Sequence, residues 1–341
     1  MSILIVGGAG YIGSQTAKRV AQAGLEPVVF DNLGQGHAWA VKWGPLVEGD
    51  LADGALVRRV LEQRRVTAVV HFAAHAYVGE SVRSPRKYYR NNVVGTLNLL
   101  DAMVDAGVRD IVFSSTCATY GDPVRVPIDE QHPQHPVNPY GETKLAVERA
   151  LFWYQRAYPI RFAALRYFNA AGADPDGEVG EDHAPETHLI PLAIAAARGG
   201  EPLQIFGTDY PTADGTAIRD YVHVQDLADA HVAALDKLRG DATSLHVNLG
   251  TGRGHSVREV IAAVEQVTGR KVPAREAGRR AGDPPALVAD ARLAAEVLGW
   301  QARLPRIETI VEHAWRWTQK RGEAWSARAG SSAGTRCARS G

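Results

Sequence analysis

Residues 3–13 read ILIVGGAGYIG, an apolar run followed by a glycine-rich turn. The run has the length and composition of a buried strand, and Gly7, Gly10 and Gly13 keep the G-x-x-G-x-x-G spacing that opens a helix. Glycines at these positions allow a tight turn, close approach of the backbone to a pyrophosphate and close packing of helix on strand, while the helix N-terminus attracts the anion. The stretch therefore predicts the first βαβ unit of a dinucleotide-binding fold.

Asp31 ends the second apolar run, 18 residues after Gly13. In a dinucleotide-binding fold, a carboxylate here accepts hydrogen bonds from both hydroxyls of the adenosine ribose. The same carboxylate would repel a 2′-phosphate, and Asn32, Leu33 and Gly34 supply no arginine to attract one. The sequence therefore predicts NAD, and not NADP, as the cofactor.

Other positions at strand ends are candidates for the same cofactor. Asp50 follows the third predicted strand, and Phe72-Ala73-Ala74 ends the fourth. We expect these residues to flank the adenine and the second phosphate, because ligands of open parallel sheets bind at the carboxyl ends of the strands. Simple packing against the sheet is an open alternative for each of them.

In the first half of the chain, short apolar runs alternate with helical patterns, which is typical of βαβ units. The predicted strands are residues 3–6, 27–30, 46–48, 68–72, 111–115 and 162–167, and the predicted helices are residues 12–23, 53–64, 85–106 and 140–157. From about residue 170 the chain loosens into loops rich in Gly, Pro, Asp and His, with further elements near residues 188–198, 226–238, 256–268 and 306–318.

We therefore predict an α/β fold, a doubly wound parallel (Rossmann) sheet with a smaller, mostly C-terminal substrate-binding lobe. The NAD-binding domain is expected to span residues 1–169, with later segments able to return to it, and the lobe residues 170–325. Residues 326–341 consist mainly of Ser, Gly, Ala and Arg with almost nothing apolar to bury. This last segment is expected to be disordered.

The composition excludes several classes of function. The 38 Lys and Arg residues balance 38 Asp and Glu, so there is no net basic field for nucleic acid or an anionic membrane surface. No apolar run approaches the roughly 18 residues of a membrane span. The two cysteines, Cys117 and Cys337, cannot build a disulfide framework, which favours a reducing, cytoplasmic location without export.

The candidate catalytic residues lie on a helix and on the strand before it. Tyr140 and Lys144 are one helical turn apart on one face. Ser114-Ser115-Thr116 ends the fifth predicted strand, where a hydroxyl can meet Tyr140. Such a Ser/Thr, Tyr and Lys set beside a nicotinamide is an acid–base system for an alcohol. Lowering the pKa of Tyr140 from about 10 to near 7 requires about 4 kcal/mol, which Lys144 and the positive nicotinamide ring can supply jointly.

These residues resemble the UDP-glucose (UDP-galactose) 4-epimerase family of extended short-chain dehydrogenase/reductases, from about residue 3 to residue 300. The motifs that carry the resemblance are the glycine turn at 7–13, DNL at 31–33, HFAA at 71–74, VGESV at 78–82, YYRNNV at 88–93, NPYG at 138–141, LRYFN at 165–169, FGTDYPT at 206–212, DGT at 214–216 and RDYVHV at 219–224. The resemblance implies reversible inversion at C4 of UDP-glucose and UDP-galactose through a transient 4-keto sugar. Tightly bound NAD takes the hydride and returns it to the other face.

The resemblance also implies roles for individual residues. Tyr140 is the base, Lys144 tunes its pKa and contacts the nicotinamide ribose, and Thr116 contacts the sugar oxygen. The implied cofactor contacts are Gly7, Gly10, Tyr11, Ile12, Gly13, Asp31, Asn32, Asp50, Leu51, Phe72, Ala73, Ala74, Asn91, Ser114, Tyr140, Lys144 and Tyr167. The implied UDP-sugar contacts are Thr116, Tyr140, Asn169, His188, Leu189, Phe206, Arg219, Tyr221, Arg280 and Asp283. Arg219 and Arg280 are expected to grip the diphosphate, because planar guanidinium groups match phosphate oxygens.

Three positions matter for the exact substrate contacts. Ala76 stands where some members carry a lysine that reaches the cofactor phosphates, and His188 stands where others have asparagine. Leu287 stands at a position where the side chain sets the space near the sugar C2 substituent in this family. Its intermediate size does not distinguish between the possible substrates. A 4-epimerase for UDP-xylose and UDP-arabinose, or for UDP-N-acetylhexosamines, therefore stays open as an alternative.

Two further alternatives belong to the same fold. Dehydratases of this kind carry Asp-Glu after the threonine, whereas this chain has Cys117-Ala118 after Thr116, so elimination of water lacks its acid. A catalytically idle NAD-binding regulatory protein is possible because fold does not fix function. The intact Thr116, Tyr140 and Lys144 argue against it.

No metal site is predicted. His132 and His135 are three residues apart, and His183 and His188 are five apart with Glu186 between them. Both pairs lie in loops without a helix to present them on one face, so solvated side chains are expected.

The resemblance implies a homodimer in which the helices at residues 85–106 and 140–157 pack against their copies. Val93, Leu97 and Leu100 are candidate contacts. Packing of the same residues on the sheet is the alternative.

Overall fold

The strands and helices follow the alternation of apolar runs and helical patterns in the sequence. A computed structural model describes residues 1–241, 244–280 and 282–333. The strands are β1 (Ser2–Val6), β2 (Glu26–Asp31), β3 (Leu46–Glu48), β4 (Val66–His71), β5 (Asp110–Thr116), β6 (Arg161–Tyr167), β7 (Asn169–Ala171), β8 (Leu203–Phe206), β9 (Ile218–His223), β10 (Leu245–Leu249), β11 (Gly254–Ser256), β12 (Ala274–Ala277) and β13 (Ala286–Leu287). The α-helices are α1 (Tyr11–Gln22), α2 (Gly54–Gln63), α3 (Val78–Arg83), α4 (Pro85–Tyr88), α5 (Gly95–Ala106), α6 (Pro139–Ala157), α7 (Leu189–Ala197), α8 (Val224–Asp241), α9 (Val257–Thr268), α10 (Arg292–Leu298) and α11 (Ile307–Ala333).

The main sheet has seven parallel strands in the order β10-β6-β5-β4-β1-β2-β3. Strand order reverses between β1 and β4, so a crevice opens at the carboxyl ends of these two strands. The doubly wound parallel sheet predicted from the sequence is thereby confirmed. Strand β10 was not predicted, because its five residues are isolated among the loops that follow residue 170.

Helices cover both faces of the main sheet. Ile3 and Ile5 of β1 belong to an apolar cluster with residues of α1 and α8, whereas Leu4 and Val6 belong to a cluster with residues of α2, α5 and α6. Successive side chains of a strand point to opposite faces, so a strand buried on both sides must be apolar throughout. This is why residues 3–6 form an unbroken apolar run.

The predicted helix at residues 85–106 is interrupted. The chain forms the short α4, then a π-helical turn at Tyr89–Val94, and only then α5. The side chain of Asn92 is buried here, and its amide donates hydrogen bonds to the carbonyl oxygen of His75 at 3.0 Å and to the hydroxyl of Thr143 at 3.1 Å. A π-helical turn accommodates one extra residue, often at a functional site. Here the turn also places Asn91 in the wall of the cavity described below.

The smaller lobe contains a sheet of β7, β9, β11 and β13, the parallel pair β8 and β12, and the helices α7, α9 and α11. Ile190, Val260 and Ile310 pack together in its core. Two later helices do not belong to it, because Leu227 of α8 and Ala294 of α10 pack in the core beneath the main sheet. These two helices and β10 thus pack with the elements of the main sheet.

The last helix is longer than the sequence pattern suggested. α11 continues to Ala333, so residues 326–333, for which disorder was predicted, are helical. Residues 326–333 include three alanines and an arginine, which favour helix. Residues 334–341 of the predicted disordered tail lie outside the described residues. None of the described helices is long and apolar enough to cross a membrane.

Candidate active site

A cavity of about 1730 Å³ lies where the carboxyl ends of β1, β4, β5 and β6 face the smaller lobe. Every site residue named from the sequence lines it: Gly7, Gly10, Tyr11, Ile12, Gly13, Asp31, Asn32, Asp50, Leu51, Phe72, Ala73, Ala74, Asn91, Ser114, Thr116, Tyr140, Lys144, Tyr167, Asn169, His188, Leu189, Phe206, Arg219, Tyr221, Arg280 and Asp283. Ala76 and Leu287 line it as well. The fold thus brings the two predicted sets of residues, cofactor and sugar nucleotide, into one space.

The glycine turn forms a cradle at one end of the cavity. Gly7 has φ +80°, and a Cβ atom there would lie 2.6 Å from the backbone nitrogen of Ala73. A Cβ atom at Gly13 would lie 2.2 Å from the carbonyl oxygen of Gly7. Only glycine fits these two positions, because each side chain would collide with backbone.

Helix α1 begins directly beyond this cradle. Within the described structure, Gly10 caps the helix without a side-chain acceptor, and the first turn carries no acidic residue. The first backbone N–H groups of a helix have no intrahelical partner, and the helix dipole adds partial positive charge. The residues present therefore fit the diphosphate of a dinucleotide. The hydroxyl of Tyr11 points elsewhere and donates to the carbonyl oxygen of Gly172 at 2.6 Å, which ties α1 to the smaller lobe.

Asp31 and Asp50 lie at the ends of β2 and β3, where the sequence placed the adenosine. The two carboxylate oxygens of Asp31 accept from the N–H groups of Ala9 at 2.9 Å and Leu33 at 2.8 Å. Burial raises the pKa of Asp31, and these N–H groups oppose the rise. Asp50 accepts a 2.7 Å hydrogen bond from the amide of Asn32. Each carboxylate keeps free lone pairs for ribose hydroxyls or the adenine.

Tyr140 and Lys144 extend from the first two turns of α6 toward the end of β5. Asn138 caps the helix by accepting from the N–H of Gly141 at 2.9 Å. Lys144 is 3% exposed, and its ammonium donates to the carbonyl oxygen of Ser114 at 2.7 Å. Burial lowers the pKa of Lys144 to about 7.

The sequence predicted a lowered pKa for Tyr140, whereas its surroundings in the structure raise it. Burial raises the pKa of its phenol, the neighbouring Tyr167 raises it further, and a hydrogen bond with Thr116 lowers it. The low pKa required of a base is therefore not set by these protein neighbours. The phenol becomes a base at neutral pH only when positive charge is brought close to it.

The opposite wall of the cavity carries the residues expected to bind a sugar nucleotide. Asn169 of β7 and Tyr221 of β9 are adjacent in register. Arg219 donates to the carboxylate of Asp283 and, at 2.9 Å, to the carbonyl oxygen of Pro284. The guanidinium of Arg280 lies 4.0 Å from the centre of the Phe206 ring. Two cations and an aromatic ring therefore face the same space as Tyr140.

A buried polar network supports the catalytic helix, and no motif in the sequence indicated it. Glu148, one turn beyond Lys144, accepts from the guanidinium of Arg166 at 2.5 and 3.0 Å and from the hydroxyl of Ser115 at 2.5 Å. Arg166 also donates to Tyr120 at 3.0 Å. Lys144 and Glu148 are four residues apart on α6, and charged residues at this spacing ordinarily lie on a helix surface. Only the packing of α6 against β5 and β6 shows that both side chains are internal.

The prediction of solvated histidines is confirmed for His135 and His188, which are exposed, and is wrong for His132. His132 is buried, accepts from the N–H of Val124 at 2.9 Å and bonds the carbonyl oxygen of Pro133 at 2.8 Å, whereas His135 is exposed. The loop before α7 instead brings four ionisable side chains together: Glu181, His183, Glu186 and His188. Burial lowers the pKa of His188, but hydrogen bonds to the two glutamates more than compensate and raise it to about 10.

Comparisons with known proteins agree with this geometry. The model of the NAD dependent epimerase/dehydratase family matches residues 3–250. A UDP-glucose 4-epimerase of Halalkalibacterium halodurans is 50% identical over 327 residues, which cover 96% of this chain and 98% of the relative. The structure of UDP-glucose 4-epimerase from Brucella ovis in complex with NAD has a TM-score of 0.90 and 55% identity, covering 92% of this chain and 97% of that one. The enzyme from Bifidobacterium longum in complex with NAD⁺ and UDP has a TM-score of 0.90 and 38% identity, covering 94% and 99%.

Proposed function

The chain belongs to the NAD-dependent epimerase/dehydratase family, and from that membership we propose that it is a UDP-glucose 4-epimerase that works with bound NAD. The observation that carries the proposal is the meeting of Thr116, Tyr140 and Lys144 with the glycine cradle in one cavity. A dinucleotide held by the cradle would thus share one cavity with the acid–base residues. The cavity, at about 1730 Å³, has room for a dinucleotide and a sugar nucleotide together.

The residues perform the proton transfers of the reaction. Tyr140 takes the proton from the C4 hydroxyl and returns it after inversion, and Thr116 holds the sugar oxygen against it. Lys144 donates to the nicotinamide ribose and supplies positive charge near the phenol. Bound in the glycine cradle, NAD would supply the hydride acceptor and donor for C4, and its positive ring would supply further charge that lowers the pKa of Tyr140.

Inversion requires a firm grip on the nucleotide and freedom for the hexose. Arg219 and Arg280 are placed to hold the diphosphate, because each presents a guanidinium to the cavity. The sugar then turns about its phosphate linkage, so that the hydride returns to its other face. Asn169 and Tyr221 lie beside Arg219 and complete the nucleotide-sugar side of the cavity.

The structure gives a dehydratase little support. Cys117 occupies the position after Thr116, and burial raises the pKa of its thiol to about 12. A thiol with that pKa stays protonated near neutral pH and therefore cannot act as a base. Elimination of water would need a titratable group there, whereas epimerisation needs none.

The proposal includes a homodimer and a cytoplasmic location. Of the predicted contacts, Leu100 is fully buried in the core and is excluded from an interface. Three other apolar side chains are exposed instead: Val94 on the π-helical turn, and Phe152 and Trp153 on α6. A second copy of the chain would cover them, and light scattering at micromolar concentration should give twice the 36.8 kDa of one chain. The cytoplasm is proposed from the sparse use of cysteine alone.

The proposed function is tested by incubating the purified protein with UDP-galactose, without added NAD, and following the sugar signals by proton NMR. UDP-glucose should form, because the cofactor is retained through purification and regenerated in each turnover. If no UDP-glucose forms even after NAD is supplied, the hexose assignment is wrong. UDP-xylose and UDP-N-acetylglucosamine in parallel samples then test the alternative epimerase substrates.

A further inference from the structure

Four side chains of types that can bind metal ions, Glu181, His183, Glu186 and His188, lie together in the wall of the cavity, on the loop before α7. Within this cluster, Nδ1 of His188 lies 2.6 Å from Glu181 and 2.9 Å from Glu186. Nδ1 of His183 lies 3.2 Å from Glu181 and 3.8 Å from Glu186. One donor atom from each residue thus falls within 4.8 Å of all the others.

These separations are slightly shorter, on the whole, than those of ligands around a small tetrahedral cation. With zinc–nitrogen and zinc–oxygen distances of about 2.0–2.2 Å, the ligands of a tetrahedral site lie about 3.3–3.6 Å from one another. Three of the four nitrogen–oxygen distances in the cluster, 2.6, 2.9 and 3.2 Å, are below that range, and the fourth, 3.8 Å, is above it. The side chains that now contact one another directly would therefore move apart, by roughly 0.1–1 Å, to admit the ion.

The cluster is held in place by its surroundings. The N–H groups of Thr187 and His188 both donate to one oxygen of Glu186, at 2.7 and 2.8 Å. The side chain of Glu181 is only 6% exposed, and the ring of Tyr77 stands edge-on to that of His183. Such outer contacts orient metal ligands before a metal arrives.

The charges favour a divalent cation of the zinc type. With both imidazoles neutral, as metal ligands must be, the four side chains would carry a total charge of −2, which one such ion cancels. Imidazole together with carboxylate suits zinc, whereas magnesium and calcium prefer oxygen ligands alone. In the absence of a metal, the glutamates pair with the histidines themselves, so zinc has to displace the protons that those histidines hold.

We propose that Glu181, His183, Glu186 and His188 bind a single Zn²⁺ ion in the wall of the cavity. The proposal goes beyond the proposed function and does not depend on it, because metal binding can be measured without any substrate. It has a consequence for activity, since His188 lies where the resemblance implies a contact with the UDP-sugar. A His188 bound to zinc is no longer free to make that contact, so occupancy of the site inhibits turnover.

The test uses untagged protein with its NAD in place, freed of metal by a chelator. Titration with Zn²⁺ by calorimetry should show one site per chain, and Co²⁺ as a spectroscopic probe should give the intense visible absorption of a tetrahedral complex. His183→Gln should weaken Zn²⁺ binding at least tenfold and abolish the tetrahedral Co²⁺ spectrum. His135→Gln, which changes an exposed histidine outside the cluster, should leave both unchanged.

Glu181→Gln is the second variant, in case His183→Gln does not fold, and it should weaken Zn²⁺ binding to the same degree. Retained NAD and an unchanged thermal midpoint establish folding for each variant. Failure of the unmodified protein to bind one Zn²⁺, a Co²⁺ spectrum without tetrahedral bands, or equal losses in His135→Gln and His183→Gln would each overturn the proposal. Because these readouts need no UDP-sugar, their failure is distinguishable from failure of the epimerase assignment.

Discussion

The ammonium of Lys144 donates a 2.7 Å hydrogen bond to the backbone carbonyl of Ser114. This bond joins the second turn of α6 to the last residues of β5. It therefore fixes Tyr140, one turn earlier on the helix, relative to Thr116, two residues further along the strand. The relative position of base and hydroxyl is thus set by a contact between a side chain and the backbone, which ordinary mutation of Ser114 cannot remove.

Tyr140→Phe removes the proposed base and leaves the shape of the cavity almost unchanged. We expect kcat to fall about 1000-fold, within the range typical of a lost general acid–base group, while NAD stays bound. Tyr158→Phe changes an exposed tyrosine just beyond the other end of α6 and should have no effect. Rates on UDP-galactose measure both variants, and a loss smaller than tenfold for Tyr140→Phe would rule out Tyr140 as the base.

Lys144→Met tests the buried ammonium through the pH dependence of stability. The pKa of Lys144 is about 7 in the folded protein and near 10.5 in the unfolded chain. Between these pH values the unfolded chain binds more protons, so the stability of the unmodified protein rises with pH. The cost of the buried charge is complete below about pH 7 and is relieved as the pH approaches 10.

The denaturation midpoint of Lys144→Met relative to the unmodified protein should therefore be highest at about pH 6–7 and should decline toward pH 10. The change is at most about 5 kcal/mol, which corresponds to the difference between a pKa of 10.5 and one of about 7. Midpoints in guanidinium at a series of pH values measure it. A difference between the two midpoints that stays constant across this pH range would show that the pKa of Lys144 is not lowered in the folded protein.

Gly13→Ala tests the cradle for the diphosphate. The added Cβ would lie 2.2 Å from the carbonyl oxygen of Gly7, so the turn must shift and its N–H groups lose their alignment. We expect NAD affinity to fall at least tenfold, measured by the NAD content of the purified protein and by titration. Gly54→Ala, where the nearest atom is 3.9 Å away, should retain NAD. Normal retention by Gly13→Ala would place the cofactor elsewhere.

Glu148→Gln breaks the buried pair with Arg166, whose side chains are 3% and 5% exposed. An uncompensated buried guanidinium remains, and we expect a loss of about 3–5 kcal/mol in the free energy of unfolding. Glu62→Gln makes the same change in the exposed pair with Arg58, where no measurable shift is expected. Similar denaturation midpoints for the two variants would contradict the assignment of Glu148 to the core.

Leu287→Ala tests the substrate preference. Leu287 lines the cavity, and the family resemblance places it near the sugar C2 substituent. The smaller side chain should raise kcat/KM for UDP-N-acetylglucosamine relative to UDP-glucose several-fold, because it makes room for the acetamido group. Val288→Ala alters the next residue, which is buried, and should leave the ratio unchanged. An unchanged ratio in Leu287→Ala would move the C2 pocket elsewhere.

Much of the fold and the site could be predicted from local sequence. The run at residues 3–6, the glycine spacing and the position of Asp31 each follow from a single strand or turn, and the parallel sheet brings such strand ends together. Tyr140 and Lys144 were identifiable because four residues make one helical turn. For these residues, local geometry and topology determine which groups meet.

The remaining features depend on contacts between distant segments. β10 is recognisable only beside β6, and Glu148 is recognisable as internal only once α6 packs on the sheet. The four side chains of the proposed zinc site lie within eight residues of sequence. They come together only because of the path of an irregular loop, which a helical or strand pattern in the sequence cannot predict. The pKa of Tyr140 likewise depends on burial by neighbours that the motif does not specify.

In the proposed reaction, the C4 hydrogen passes to bound NAD and returns to the same carbon on its other face. UDP-galactose carrying deuterium at C4 tests it directly, with the UDP-glucose product analysed by NMR and mass spectrometry. We expect the deuterium to remain at C4 of the product, in ordinary water and without added NAD. Loss of the deuterium to solvent would contradict it, because the C4 hydrogen would then have left as a proton.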